Sequence, residues 1–185
     1  MLVLAGTSFA ATIHVPGDHA TIQGAINASS DGDVIAIAAG TYYEHSLNPN
    51  GKAITIGSAS GNLDVTIDAQ QGGSVFVIVS GEGSGTVIQN LVITGGLAFG
   101  PWPSNSGGGI WCGNSNPTIT NCTIEGNTAD AGGGIFCYNG SNPTISGCTI
   151  SNNAATYDGG GISCDSGSSP TISGCTISGN TADNY

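Results

Sequence analysis

The side chains with most scope for chemistry are the carboxylates, because 12 Asp and Glu residues face a single Lys or Arg. Two carboxylates at a suitable separation can act as acid and base in glycosidic bond cleavage. Asp is also common at turns, and we favour ordinary turn residues over a catalytic pair. The sequence therefore predicts no catalytic residue. The carboxylates considered for such a pair are Glu44, Asp64, Asp68, Glu82 and Glu125.

The basic and metal-binding side chains do not form a recognisable site. His14, His19 and His45 lack the spacing of metal ligands and are expected on the surface near the N-terminus. Lys52 follows a Pro-Asn-Gly turn and is expected to be a solvated turn residue. Oxygen ligands suit Ca²⁺, but no known Ca²⁺-binding motif is present, and we predict neither a metal nor a cofactor. The carboxylates considered for Ca²⁺ are Asp130, Asp158, Asp165 and Asp183.

The six cysteines recur at regular positions but include no Cys-x-x-Cys pair, and their spacing is not that of a zinc site. An even number of cysteines in a secreted protein permits disulfides. We favour two ladders of free thiols, because each Cys occupies a position that points inward and free Cys is a good small core residue. The cysteines are Cys112, Cys122, Cys137, Cys148, Cys164 and Cys175.

Hydroxyl side chains recur at outward strand positions and form the candidate binding site. Regular rows of hydroxyl groups on a flat sheet are suited to binding glycan chains or to ordering water at an ice surface. The alternative interpretation is the ordinary preference of β-branched residues for strands. The two predicted rows are Thr118, Thr144 and Thr171, and Thr120, Ser146 and Ser173.

An internal repeat positions these residues. Copies that start with Gly-Gly-Gly-Ile at Gly107, Gly132 and Gly159 each end in Cys-Thr-Ile-x-x-Asn. Their period of about 26 residues falls in the range of solenoid repeats. Gly and Pro interrupt every copy and exclude helical repeats. What remains is a set of short apolar alternations, each of which predicts a strand with apolar residues on one side.

The repeat predicts a parallel β-helix in which each copy forms one coil of about three short strands. Equivalent side chains then stack in ladders through the interior, and no coil can bury its apolar face alone. The triple Gly suits a turn with positive φ or close packing of backbone on backbone, and an Asn ladder can bond along the stack. The predicted ladders are Ile110, Ile135 and Ile162; Ile119, Ile145 and Ile172; Ile124, Ile150 and Ile177; and Asn127, Asn153 and Asn180.

A short capping helix is predicted near the N-terminus. Asp18 or Thr21 can begin it, and Ile22, Ala25 and Ile26 then lie on one face with helical spacing. A β-helix that ends openly exposes unpaired backbone and core, so a covering helix there is physically reasonable.

The chain is predicted to divide into four segments. Residues 1–11 resemble the end of a secretion signal, with a first strand as the alternative, and residues 12–33 form the N-terminal cap. Residues 34–106 form irregular coils that include a loop over residues 97–106, and residues 107–185 form three regular repeats. No atypical capping repeat follows them, so we expect this chain to be the N-terminal part of a longer protein. The alternative is that its open end pairs with another subunit.

The motif Val-Pro-Gly-Asp-x-x-Thr-Ile-Gln-x-Ala-Ile at residues 15–26 resembles the opening of the pectin-lyase-like β-helix superfamily, as does Ala-Gly-Thr-Tyr at residues 39–42. The repeats are similar to those of polymorphic outer-membrane proteins, although Ile replaces the Phe of their Phe-x-x-Asn motif. This resemblance implies an all-β fold, a right-handed single-stranded parallel β-helix, from about Ile13 onward. It does not imply activity, because the enzymes of the superfamily use basic residues or motifs that this chain lacks.

Composition and charge narrow the function. A net charge of −11 argues against nucleic acid and anionic membranes as partners, and no apolar run is long enough for a transmembrane helix. We expect a non-catalytic secreted or cell-surface protein for adhesion or for contact with polysaccharides or host glycans. End-to-end self-association through its open C-terminal coil is a further expectation. The alternative is an N-terminal fragment of a secreted polysaccharide-degrading enzyme, and an ice-binding protein is the third interpretation.

Overall fold

The computed structural model describes residues 10–183. In that range it contains 20 strands and one short helix, and the strands stack in parallel from coil to coil. This arrangement confirms the predicted all-β solenoid with a short helix near its N-terminus. Residues 1–9 of the predicted signal lie outside the described range. The helix in the described range is too short to cross a membrane.

The strands form four parallel sheets. The first sheet consists of β1 (Thr12–Val15), β2 (Val34–Ile37), β4 (Thr55–Ser58), β7 (Val87–Gln89), β10 (Thr118–Thr120), β14 (Thr144–Ser146) and β18 (Thr171–Ser173). The second consists of β3 (Gly40–Tyr42), β5 (Val65–Asp68), β8 (Val92–Thr94), β11 (Thr123–Glu125), β15 (Thr149–Ser151) and β19 (Thr176–Ser178). The third consists of β6 (Phe76–Ile78), β9 (Ile110–Gly113), β13 (Ile135–Tyr138) and β17 (Ile162–Cys164). The fourth consists of β12 (Thr128–Ala131), β16 (Ala154–Asp158) and β20 (Thr181–Ala182).

The regular coils contain four strands, one more than the repeat predicts. The additional strand is the one in the fourth sheet, which begins just after the Asn ladder. In β12 the buried side chains are only those of Ala129 and Ala131. Two alanines give too weak an apolar alternation for a sequence pattern to reveal the strand.

The predicted isoleucine ladders fill part of the core in the regular coils. Ile119 pairs in register with Ile88 on one side and Ile145 on the other, and all three are fully buried. In the last described coil, Ile172 and Ile177 are 43% and 50% exposed, because no described coil covers them. Burial in this fold therefore comes from neighbouring coils, as expected for a solenoid.

The helix α1 (Ile22–Ala28) covers the N-terminal end of the stack. Thr21 is its N-cap, and its hydroxyl accepts a hydrogen bond from the Gly24 N–H at 3.1 Å. Ile22 and Ile26 face the core as predicted. The Glu44 carboxylate accepts hydrogen bonds from the N–H groups at the start of the helix, at 2.7 Å from Ile22 and 3.1 Å from Gln23. Glu44 therefore fixes the positive end of the helix.

Lys52 fixes the other end of the same helix. Its ammonium group donates to the carbonyl oxygens of Ile26 and Asn27, at 2.6 and 3.0 Å. The expectation of a solvated turn residue was therefore wrong: Lys52 is half-buried and binds the last carbonyls of α1, where a cation is stabilised by the helix dipole.

Replacing Lys52 with Met is expected to lower the free energy of unfolding by about 1–2 kcal/mol, because a charge-assisted contact at a partly buried helix end is lost. Urea denaturation measures the change, and amide hydrogen exchange at Ser29, which donates to Ala25, reports loss at the helix end. Lys52→Arg keeps the charge and is the control. An unchanged urea midpoint for Lys52→Met would contradict the capping role.

Candidate functional site

Four of the five candidate carboxylates accept hydrogen bonds within the fold. Asp64 accepts hydrogen bonds from the Ser58 and Ser60 hydroxyls, both at 2.6 Å. These bonds lower the pKa of Asp64, and the bond from Ser58 has the larger effect. Glu82 is almost fully buried, where one oxygen accepts from the Gly51 N–H at 2.9 Å and the other from the Ser115 hydroxyl at 2.9 Å. The Glu82 carboxylate therefore joins segments that lie far apart in the chain.

The remaining two candidate carboxylates lie on the second sheet. Asp68 accepts from the N–H of Gln70 within a turn at 2.8 Å, and Glu125 is half-buried on the second sheet. Within residues 10–183, no hydrogen bond joins any two of the five candidate carboxylates, and no three His, Cys, Asp or Glu side chains come together in a group that could hold a metal ion.

The cysteines form the two predicted ladders of free thiols. In the first ladder, neighbouring thiols come from strands paired in register, as Cys112 does with Cys137. The four thiols of the inner coils are buried. Burial raises the pKa of Cys112. At the last described coil Cys164 is exposed, and a hydrogen bond from the Cys137 thiol lowers its pKa to about 7. The ladders are Cys112, Cys137 and Cys164, and Cys122, Cys148 and Cys175.

Cys164 is expected to react first with iodoacetamide in the folded protein. Only thiolates react, so with a pKa near 7 its rate should rise about tenfold between pH 6 and pH 8. Mass spectrometry locates the modified residue, and Cys164→Ser removes the fast phase. After unfolding without reductant, all six thiols should react. Fewer reactive thiols would mean that disulfides replace the ladders.

The structure places the two hydroxyl rows on the outer face of the first sheet, with members paired in register between β10, β14 and β18. Part of their hydrogen-bonding capacity is used within the protein: the Ser146 hydroxyl donates to that of Thr120 at 3.1 Å, and the Thr118 hydroxyl donates to the Ser84 carbonyl oxygen at 3.2 Å. In the preceding strand β7, Val87 and Gln89 occupy the equivalent positions, so the rows cover only the three regular coils. Binding by these rows stays a prediction, and a thermal hysteresis assay tests the ice-binding form of it.

A second set of outward side chains lies on the third sheet. Ile110 and Cys112 point into the core, so Trp111 between them points outward, and Val77 and Phe136 pair in register on either side of it. Tyr138 stacks on Phe136, with ring centroids 5.9 Å apart. The outer face of this sheet is therefore aromatic, in contrast to the hydroxyl-rich face of the first sheet.

The segment predicted as a loop, residues 97–106, lies across this aromatic face. Isolated bridges join Leu97 to Thr128 and Ser106 to Ala131 in the fourth sheet, and the Asn105 side chain donates to the Asp130 carboxylate. Both ends of the loop are thus held by the fourth sheet. The loop has no strand periodicity because its backbone follows the turns between these anchors.

Trp102 of this loop packs edge-on against the aromatic row. Its ring centroid lies 5.4 Å from that of Phe136 and 5.9 Å from that of Tyr138, a geometry favoured between aromatic rings. Phe136 is fully buried as a result, while Trp102 is still 52% exposed and Phe99 is 65% exposed. We call the set Phe99, Trp102, Trp111, Phe136 and Tyr138 the aromatic surface.

Two shallow depressions lie in this surface, and the loop lines both. The first encloses about 220 Å³ and the second about 350 Å³. The first is smaller than the usual pocket for a small molecule, so it suits one ring of a larger ligand. The first depression is lined by Ser46, Gly73, Ser74, Phe99, Ser104 and Trp111. The second is lined by Trp102, Phe136, Asp158, Ser163, Cys164 and Asp165.

Exposed aromatic rings beside serine hydroxyls can bind a sugar, because a pyranose ring has an apolar C–H face and a polar rim. Large rings supply contact area at little cost in side-chain entropy, and Tyr and Trp add a polar group. The Trp111 indole N–H is the one buried side-chain polar atom without a hydrogen-bond partner in the described range. Sequence reasoning missed this surface, although the alternation Ile-Trp-Cys already places Trp111 outside.

Comparison with known proteins agrees with the architecture. A family model described as a right-handed β-helix region matches residues 48–183. Searches of curated proteins and of solved structures found no match to the chain. The family match covers most of the chain and includes the aromatic surface, so it concerns the part of the molecule that carries the candidate site. With its parallel sheets, stacked ladders and this match, the chain belongs to the right-handed β-helix family.

Proposed function

We propose that this chain is a non-catalytic secreted or cell-surface protein that contacts glycans through the aromatic surface. The observation that carries the proposal is the pair of exposed rings of Phe99 and Trp102, 65% and 52% exposed, on a loop that is anchored at both ends. Exposed apolar side chains that are grouped in one patch are typical of interaction sites. Serine hydroxyls beside the rings supply the polar contacts that a sugar needs.

The extracellular part of the proposal has separate support. The apolar start of the chain resembles a secretion signal. Charged residues make up only 7% of the sequence, and the outer strand positions are rich in Thr and Ser instead. Such an uncharged, hydroxyl-rich exterior is suited to contact with polysaccharides.

The hydrogen bonds and positions of the candidate carboxylates support a binding role over glycoside cleavage. A retaining or inverting glycosidase places two carboxyl groups on opposite sides of the scissile bond. Here Glu44, Asp64 and Glu82 instead accept hydrogen bonds from neighbouring backbone and side-chain donors. The positions of these side chains are explained by the fold, and none lines either depression.

Replacing Trp102 with Ala is expected to weaken glycan binding about tenfold or more, because exposed aromatic anchors contribute most of the energy of such contacts. Affinity electrophoresis through gels that contain soluble polysaccharides measures the change. Leu63→Ala is the matched control, since Leu63 is also 52% exposed and lies outside the aromatic surface. Equal retardation of the two variants would contradict the proposed site.

A polysaccharide-degrading enzyme is the second candidate, in line with the resemblance to the pectin-lyase-like superfamily. One observation favours it: His45 Nδ1 lies 3.2 Å from the Ser46 hydroxyl, and Ser46 lines the first depression. A histidine at this distance can activate a serine. Release of reducing ends or of esterified groups from a polysaccharide, abolished by Ser46→Ala, would establish the enzyme, whereas binding without turnover favours the non-catalytic proposal.

A further inference from the structure

The electrostatic setting of the aromatic surface limits which glycans can bind there. The chain carries 12 carboxylates and a single Lys or Arg residue, which is Lys52. That ammonium group binds the end of α1 at 2.6 Å from the Ile26 carbonyl oxygen. Neither depression is lined by a Lys or an Arg, so no such cation is available to pair with an anionic ligand.

Carboxylates, in contrast, are present at the site itself. Asp158 and Asp165 both line the second depression, and both residues are exposed. Asp165 accepts a hydrogen bond from its neighbour, the Ser166 N–H, and neither carboxylate takes part in an ion pair with Lys52. Asp130 lies next to the loop, where it accepts from Asn105. An anionic ligand in the second depression would therefore meet like charges at close range.

We propose that the aromatic surface selects uncharged glycan chains and rejects polyuronates and sulfated glycans. This inference rests on the proposed function and adds the chemical class of the ligand. The aromatic rings and serine hydroxyls need no charge on the sugar. The carboxylates Asp158 and Asp165 penalise a charged one.

The size of this penalty follows from Coulomb's law. Two like charges about 4 Å apart in water weaken binding about fivefold, and the net charge of −11 adds a repulsion of longer range. Salt screens exposed charges beyond about 10 Å at 0.1 M. Selectivity should therefore be greatest at low salt and should shrink as salt is added, while binding of a neutral chain should hardly respond.

The test compares polysaccharides that share a backbone and differ in charge. Isothermal titration calorimetry at 10 mM and 500 mM NaCl is used with polygalacturonate and its methyl ester, and with carboxymethyl and hydroxyethyl cellulose. We expect the uncharged member of a pair to bind at least fivefold more tightly at 10 mM NaCl, with a smaller ratio at 500 mM. An anionic member that binds as tightly as its neutral counterpart at 10 mM NaCl overturns the inference and leaves the proposed function standing.

Variants locate the source of the selectivity. Asp158→Asn with Asp165→Asn should reduce the ratio of neutral to anionic affinity severalfold at low salt. The control is Asp18→Asn with Glu125→Gln, which also removes two negative charges, but from residues that line neither depression. This control should reduce the affinity ratio less. Equal effects of the two double variants would overturn the local role of Asp158 and Asp165.

If no member of either pair of polysaccharides binds in calorimetry, and the polysaccharides tested by affinity electrophoresis also fail to bind, the proposed function itself fails, and the inference with it.

Discussion

Replacing Asn153 with Ala is expected to lower the free energy of unfolding by about 4 kcal/mol, because each buried polar group left without a partner costs about 1–3 kcal/mol. Asn153 is 1% exposed. Its amide oxygen accepts from the Asn127 backbone N–H at 3.1 Å, and its amide nitrogen donates to the Ile124 carbonyl oxygen at 2.9 Å. Both of these groups belong to the preceding coil, so the substitution weakens the contact between two coils.

Guanidinium denaturation followed by circular dichroism measures this change. Asn62→Ala is the control, because Asn62 is exposed and its side chain is not part of the ladder, and it should change the free energy of unfolding by less than about 0.5 kcal/mol. A loss for Asn153→Ala as small as that of the control would mean that the Asn ladder does not hold the coils together.

Replacing Gly133 with Ala is expected to cost about 3 kcal/mol or more, because the added methyl group overlaps backbone atoms that cannot rotate away. A Cβ at this position would lie 2.2 Å from the Ala154 carbonyl oxygen and 2.7 Å from that of Gly160. The Gly160 oxygen belongs to the next coil, and the Ala154 oxygen belongs to β16, the strand that leads into that coil. The second Gly of the triplet is thus required by the close approach of backbone atoms. The first, Gly132, is required for another reason: its φ of +61° lies in the left-handed region that favours glycine.

Gly83 provides the matched control for this substitution. A Cβ added there would meet nothing within 4 Å, so Gly83→Ala should be neutral or should stabilise the protein by up to about 1 kcal/mol through the unfolded chain. Thermal denaturation of the two variants compares them. If Gly133→Ala melted at the temperature of Gly83→Ala, the predicted close packing of the triplets would be wrong.

The regular coils could be predicted from the sequence because stacking repeats one local pattern. Alternation along a short strand decides which side chains point inward, and the repeat then places Ile119 beside Ile145 and Cys112 beside Cys137. The Asn ladder follows from the same rule. Strands without such a pattern could not be found in this way, as β12 with its two buried alanines shows.

The contacts that the sequence did not reveal join residues that are distant in the chain. Lys52 bonds to a carbonyl oxygen 26 positions away, and Glu44 to an N–H group 22 positions away, so no local motif records either partner. The aromatic surface could not be predicted for the same reason. Strand alternation places Trp111 outside, but the contact of Trp102 with Phe136 depends on the path of a loop that has no periodicity.

Tryptophan fluorescence tests the role of the aromatic surface most directly, because the chain has only two Trp residues and both belong to this surface. Trp102→Phe leaves Trp111 in the first depression as the reporter, and Trp111→Phe leaves Trp102 in the second. Saturation with a neutral polysaccharide that binds in calorimetry should shift the emission of both single-Trp proteins, with midpoints that match the calorimetric affinity. Saturable binding that leaves both emission spectra unchanged would place the ligand elsewhere on the protein and contradict the proposed site.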